Sequence, residues 1–173
     1  NNTTAGTGAG ASFSGTDATN NTLFGKDAGN DITTGDSNTA VGFNALDANT
    51  TASNNTAVGR SALGANTTGA QNVAVGSNCL DSNTTGSGNV GVGHNTLQAV
   101  TTSGANTGIG DGALYLNTGS HNTALGNAAL LLNTSGAYNT AVGQGALDAN
   151  TTADSNVAIG YVALGANTTG ADN

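Results

Sequence analysis

Few residues of this chain could do acid–base, nucleophilic or metal chemistry, so their spacing is the first test of function. There are two histidines, His94 and His121, one cysteine, Cys79, and ten acids, all of them Asp. Glycan hydrolysis needs two carboxylates facing each other across a cleft. Asp47, Asp81 and Asp148 recur at one position of a repeat described below, but in non-adjacent copies, so they form no continuous carboxylate row. Asp27, Asp31 and Asp36 cluster with Gly29 and Asn30. That resembles a Gly/Asp calcium turn only faintly, because the ladder of such turns that a calcium-binding repeat builds is missing. His94 and His121 fall at repeat positions six and seventeen, do not stack, and read as turn residues on the surface. Cys79 has no cysteine to pair with in this chain and replaces a small packed Ala, which reads as a buried hydrophobe. The sequence therefore assigns no catalytic, cofactor-binding or metal-binding residue, and the expected protein is not an enzyme.

The bulk composition narrows the partners. The net charge is −8, and Lys26 and Arg60 are the sole basic residues. A phosphate backbone is bound by clustered Lys and Arg, so nucleic acid is not an expected partner. No apolar run approaches the roughly 20 residues that span a membrane, and no stretch reads as a signal peptide. Charged residues are 7% of the chain, Pro is absent and Gly numbers 28. Disordered chains carry more charge and Pro and fewer β-branched residues. Such a bias points instead to a repeat architecture.

The elements that would carry any site are tandem units of about 17 residues. Units open on Asn21, Asn38, Asn55, Asn72, Asn89, Asn106, Asn122, Asn139 and Asn156, and Asn173 opens the next. One unit, between Asn106 and Asn122, is shorter by a residue, and its loss is placed at Thr118–Gly119 in a turn, where deletions are best tolerated. Residues 1–20, with Gly8, Gly10, Phe13 and Gly15, read as a degenerate first coil or a cap, and 21–173 as the array proper.

Each unit has fixed columns. Position five is Gly: Gly25, then Gly42, Gly59, Gly76, Gly93, Gly110, Gly126, Gly143 and Gly160. A Gly held in register marks a turn with positive φ or a close chain approach. Before it stands a large apolar residue, Phe24, Val41, Val58, Val75, Val92, Ile109, Leu125, Val142 or Ile159, and two residues earlier Thr or Val. Alternation puts these two on one face of a short strand, and their bulk predicts that this face is the core. A second apolar column, Leu46, Leu63, Leu80, Leu97, Leu114, Leu130, Leu147 and Leu164, joins that predicted core. The residue between the two β-branched positions then points outward. From the second unit on it is small: Ala40, Ala57, Ala74, Gly91, Gly108, Ala124, Ala141 and Ala158. A small outward column predicts close approach of another copy of the chain. The unit closes on Asn-Thr-Thr-Gly or a variant, a turn signal, and the Asn columns are expected to pair their amides from coil to coil.

The periodicity predicts an all-β protein, a parallel β-solenoid with coils stacked about 4.8 Å apart. Helix is disfavoured by the Gly, Asn and Thr-Thr in every unit. The motifs Asn156-Val-Ala-Ile-Gly-Tyr-Val-Ala163 and Asn38-Thr-Ala-Val-Gly-Phe-Asn-Ala45 resemble the head repeats of trimeric autotransporter adhesins of the YadA type, which read roughly Ser-Val-Ala-Ile-Gly-x-x-Ala. The longer unit, Asn-Thr-Ala-Val-Gly-x-x-Ala-Leu-x-x-Asn-Thr-Thr-Gly, is similar to repeats of phage tail-fibre proteins. The resemblance covers 21–173 and implies a left-handed β-roll, a homotrimer, and an extracellular place on a cell surface or a virion. The adhesin unit is shorter, so each coil here carries a longer turn. The expected function is a structural or adhesive fibre segment whose polar repeat surface attaches to a host surface, glycan or matrix. The alternative is an ice-binding solenoid using the Thr ladders Thr50/Thr51, Thr67/Thr68, Thr84/Thr85, Thr151/Thr152 and Thr168/Thr169. It is disfavoured because adjacent Thr point opposite ways on a strand.

Overall fold

A computed structural model describes residues 1–14 and 17–173. Gly15 lies outside the described residues. The chain winds as a parallel β-solenoid in which each coil contributes one three-residue strand. The strands are β1 (Thr3–Ala5), β2 (Thr22–Phe24), β3 (Thr39–Val41), β4 (Thr56–Val58), β5 (Val73–Val75), β6 (Val90–Val92), β7 (Thr107–Ile109), β8 (Thr123–Leu125), β9 (Thr140–Val142) and β10 (Val157–Ile159). They form one ten-stranded sheet in sequential order. The register is that of the repeat: Thr39, Ala40 and Val41 stand on Thr56, Ala57 and Val58. The rest of each coil is a chain of tight turns. β1 pairs with β2 in the same register, and Asn2 Oδ1 accepts the Asn21 N–H at 2.9 Å.

The structure inverts the expected strand phase. Ala40, Ala57, Ala74, Ala124 and Ala141 are fully buried, and Ala158 nearly so. Gly91 and Gly108 are buried with them. The predicted core residues Val41, Val75, Val92, Ile109, Leu125 and Ile159 are exposed, while Val58 and Val142 are half-exposed. The small column is therefore the inside of the coil and offers no contact to another chain. The Leu column is buried as expected from Leu46 to Leu147, and Leu164 is exposed.

The reason for the inversion is volume. Alternation requires positions two and four to share a face but does not say which face is inside. The coil is narrow, and the Leu at position nine already fills it. A Val opposite would overpack the interior, so the strand must turn an Ala or Gly inward. Two exchanges within the array make the constraint visible. In the coil of β2 the sizes are swapped. Leu23 takes the small position and is fully buried, Gly29 takes the Leu position, and a Cβ on Gly29 would lie 2.9 Å from Leu23 Cδ2. Where the Ala at position eight is enlarged to Cys79 or Thr96, the next coil answers with Gly91 or Gly108. A Cβ on those glycines would meet Cys79 Sγ at 2.5 Å and Thr96 Cγ2 at 2.7 Å.

Turn geometry holds the coils in register. The position-five glycines have φ near +130 to +139. A Cβ at Gly42 would sit 2.5 Å from the Gly59 carbonyl oxygen, so the sheet edge can stack only on glycine. Leu46 and its equivalents adopt φ of 51–56°. An L-residue pays roughly 1–2 kcal/mol for a left-handed backbone, which burial of a whole Leu side chain, about 2–3 kcal/mol, offsets. The short unit loses its residue in the turn, as the sequence indicated: Gly119 O accepts Asn106 Nδ2 across 13 residues, where other coils use 14. The sheet pairing Gly108–Ala124 is undisturbed.

The size coupling yields a direct test. Gly91→Ala alone should destabilise the fold by about 1–3 kcal/mol through overpacking against Cys79. Added to Cys79→Ala it should cost far less, because the pair then becomes the Ala–Ala contact of the other coils. A denaturant-unfolding double-mutant cycle measures this; additive effects would show that the two positions do not share volume.

Candidate functional surface

Burial of Asn, not of charge, dominates the polar interior. Two Asn columns run along the axis. In the first, Oδ1 of each Asn accepts the backbone N–H of the next: Asn38 N–H to Asn21 at 2.8 Å, Asn72 N–H to Asn55 at 2.9 Å, Asn156 N–H to Asn139 at 3.0 Å. From Asn21 to Asn139 the Nδ2 turns back to its own coil, as Asn38 donates to Ala52 O at 2.9 Å. In the second column Nδ2 donates both to the Asn below and to that same carbonyl position: Asn66 to Asn49 Oδ1 and to Gly69 O, each at 2.9 Å. The second column is interrupted by Ile32 and Val100, both fully buried. Beside the second interruption Asn83 Oδ1 and Ser103 Oγ are left without a partner, because the Nδ2 that would reach Asn83 is replaced by a Val methyl.

The columns settle the role of several motif residues. Asn49, Asn66, Asn83, Asn133 and Asn150, which open Asn-x-Thr/Ser sequons, are fully buried with Nδ2 engaged. That nitrogen is where a glycan would be attached, so in the folded coil it is out of reach. In four of the Thr-Thr pairs the first Thr is also used in structure. Thr50 Oγ1 donates to Thr67 O, Thr67 to Thr84 O, and Thr151 to Thr168 O, at 3.0–3.3 Å. In four pairs the second Thr, Thr51, Thr68, Thr85 or Thr152, stands exposed while the first is half-buried, so these pairs do not make a two-row array.

The titratable residues are scattered on turns. His94 Nδ1 lies 3.2 Å from Asp111 Oδ1 in the next coil, both exposed. His121 stacks on Tyr138 with ring centroids 4.9 Å apart and planes 1° from parallel. Asp36, in the faint calcium-like cluster, accepts the Thr19 N–H at 2.6 Å and the Thr19 hydroxyl at 2.9 Å, as a turn residue does. Asp31 and Asp27 lie near Asp47, and Lys26 bonds Asp27. Burial first, then the Asp31 and Asp27 charges, raise the Asp47 carboxyl above its usual range, against a smaller pull from Lys26. Burial likewise raises Asp81, opposed by Arg60. Burial pushes the Cys79 thiol up to about 12, partly opposed by its hydrogen bond to the Val75 backbone, so it stays protonated and unreactive at neutral pH.

What remains is a surface that the sequence reading had placed inside. Positions two and four of every strand face outward together. One column is Thr or Val, and the other is Phe24, Val41, Val58, Val75, Val92, Ile109, Leu125, Val142 and Ile159. No charged side chain lies in either column from β1 to β10. The face repeats at about 4.8 Å per rung and is continuous over ten strands. This uncharged stripe of exposed and half-exposed side chains is the candidate functional surface.

Comparison with protein-family models, with curated proteins and with solved structures finds no match.

The carboxyl shifts predict an unusual pH profile. Asp47 and Asp81 bind protons more tightly folded than unfolded, so folding is favoured as pH falls from neutral toward the unfolded value of 3.8. Tm should therefore rise between pH 7 and about pH 4, the reverse of the acid loss expected for paired carboxylates. Asp47→Asn combined with Asp81→Asn should raise Tm at pH 7 and flatten that rise. A Tm that falls steadily from pH 7 in the unsubstituted protein would contradict the assignment.

Proposed function

We propose that this chain is an extended structural segment of an extracellular fibre, on a cell surface or a virion tail, which holds a polar repeat surface out for attachment to a host surface, glycan or matrix. The observation that carries the reading is the continuity of the coil stack. One sheet and one Asn column run from Asn2 to Asn173 without a break. Each coil contacts its neighbours, so length is added unit by unit at little cost to cooperativity. A protein built this way is a spacer of fixed rise. The resemblance to adhesin head and tail-fibre repeats supports the same reading and implies three copies of the chain in the fibre.

One observation favours a second reading, an ice-binding solenoid. The outward face presents Thr-x-Val in β3, β4 and β9, with both side chains on one side of the sheet. A rank of evenly spaced hydroxyls and methyls could match a crystal lattice. The rank is incomplete, since Val73, Val90 and Val157 stand where Thr is needed, and the fibre reading accounts for such substitutions without difficulty. Thermal hysteresis would separate the two.

The fibre reading predicts a rod whose length is set by coil number. Removing the two coils from Asn55 to Gly88 should shorten the particle by about 10 Å in small-angle scattering while leaving its cross-section and β-signal intact. Collapse to a compact or unfolded particle would count against a unit-by-unit spacer.

A further inference from the structure

We infer that the coil stack has one built-in hinge, a seam between the coils 89–105 and 106–121, where the stack opens along its Thr-turn side in preference to any other mid-array interface. The inference stands on the bonding between coils and not on what the protein attaches to, so it goes beyond the fibre reading.

Three departures from the repeat meet at this seam. The first is in the Thr turn. On one side of the seam, the Thr84 N–H and Oγ1 donate to Thr101 O at 2.8 and 3.0 Å. On the other, the Thr118 N–H and Oγ1 donate to Thr134 O at 2.6 and 2.8 Å. The step between them is missing. Among the described residues neither the N–H nor the Oγ1 of Thr101 is bonded to the next coil, and Thr101 and Thr102 are both exposed. The unit 106–121 is a residue short in this same turn, so the two turns do not match. The second departure is in the second Asn column. Asn66, Asn83 and Asn133 each donate from Nδ2 to the Asn of the preceding coil. Asn117 has Val100 there and donates to Gly119 O in its own coil. The third is the pair of buried polar atoms without a partner, Asn83 Oδ1 and Ser103 Oγ, which flank Val100. A buried acceptor or hydroxyl left unmade destabilises the closed coil, and opening lets water reach it.

The bonds that persist lie mostly on the strand side, which makes the seam a hinge and not a break. β6 and β7 pair in full register. The Asn106 N–H donates to Asn89 Oδ1 at 3.1 Å. The Leu97 N–H donates to Ala113 O and the Ala99 N–H to Tyr115 O, each at 3.0 Å. Past the gap, the Gly104 N–H reaches Ser120 Oγ and the His121 N–H reaches Gly104 O, both at 3.3 Å, beyond the usual range of an N–H···O bond. Stacked repeats are held by nearest-neighbour interfaces, so the interface with the fewest bonds opens most often. Six strands then move against four, β1–β6 against β7–β10, about the sheet that joins them.

Native-state hydrogen exchange on the full chain tests this. The probes are the Leu97 and Ala99 amides, bonded across the seam. Their repeat equivalents are Leu63 and Ala65 on one side and Leu130 and Leu132 on the other, bonded at 3.0–3.1 Å across ordinary interfaces. A uniform stack frays from its ends and protects its middle most. The hinge predicts the reverse, with protection factors at Leu97 and Ala99 about 10-fold below those at Leu63 and Ala65. Val100→Asn, together with a Thr inserted between Thr118 and Gly119, restores both the column and the turn. It should bring Leu97 and Ala99 up to the level of the other interfaces. Val100→Ala supplies no amide and should leave them low. Protection at Leu97 and Ala99 equal to or above that at Leu63 and Ala65 in the unsubstituted chain overturns the inference. A repaired chain that folds with those two amides still poorly protected overturns it as well.

Discussion

Every coil of this protein is closed and stacked by an amide that has nowhere else to go. The first-column Asn is buried, and a buried amide must find partners for its donors and its acceptor. Its Nδ2 reaches a carbonyl 14 residues on in its own coil, and its Oδ1 takes the backbone N–H of the coil that follows. The first bond fixes the circumference and the second fixes the stacking register. Together they explain why a unit with a single three-residue strand and turns elsewhere keeps one register from β1 to β10. They also explain how the short unit is accommodated. Gly119 supplies the carbonyl one residue early, so the amide is satisfied and the sheet does not notice the loss.

Given that closure, the interior is small and its filling is rationed. One Leu per coil occupies it, at the expense of a left-handed backbone, and the strand opposite can offer only Ala or Gly. The large β-branched residues that remain have one place to go, the outer face of the sheet. The exposed Val and Ile ladder is thus a consequence of a narrow coil.

The repeat made much of this readable in advance. The 17-residue period, the in-register glycines, the position of the deletion and the stacking of the Asn columns follow from residue types that have few alternatives; that the Asn side chains are fully buried does not. The phase of the strand did not follow from the general rule that bulk goes inside, because that rule assumes room inside. Size exchanges held the missing signal. Gly29 stands where other coils have Leu, and Leu23 stands where they have Ala. A swap of large for small between two positions means that they touch, which places position three inside. Gly91 and Gly108, one coil beyond Cys79 and Thr96, carry the same message. The Thr-Thr pairs lie in a turn, as the Asn-Thr-Thr-Gly signal indicates, and within the array the first hydroxyl caps a carbonyl of the next coil.

The central claim is that the amide ladder, more than apolar burial, sets the coil. Asn72→Ala in mid-array tests it most directly, by equilibrium denaturation against a surface control such as Thr68→Ala. The substitution leaves the Asn89 N–H buried without its acceptor and removes the bond to Gly86 O. A loss of about 3 kcal/mol is predicted. A loss under about 0.5 kcal/mol, the size of an ordinary surface change, would show that the coils stack without the ladder.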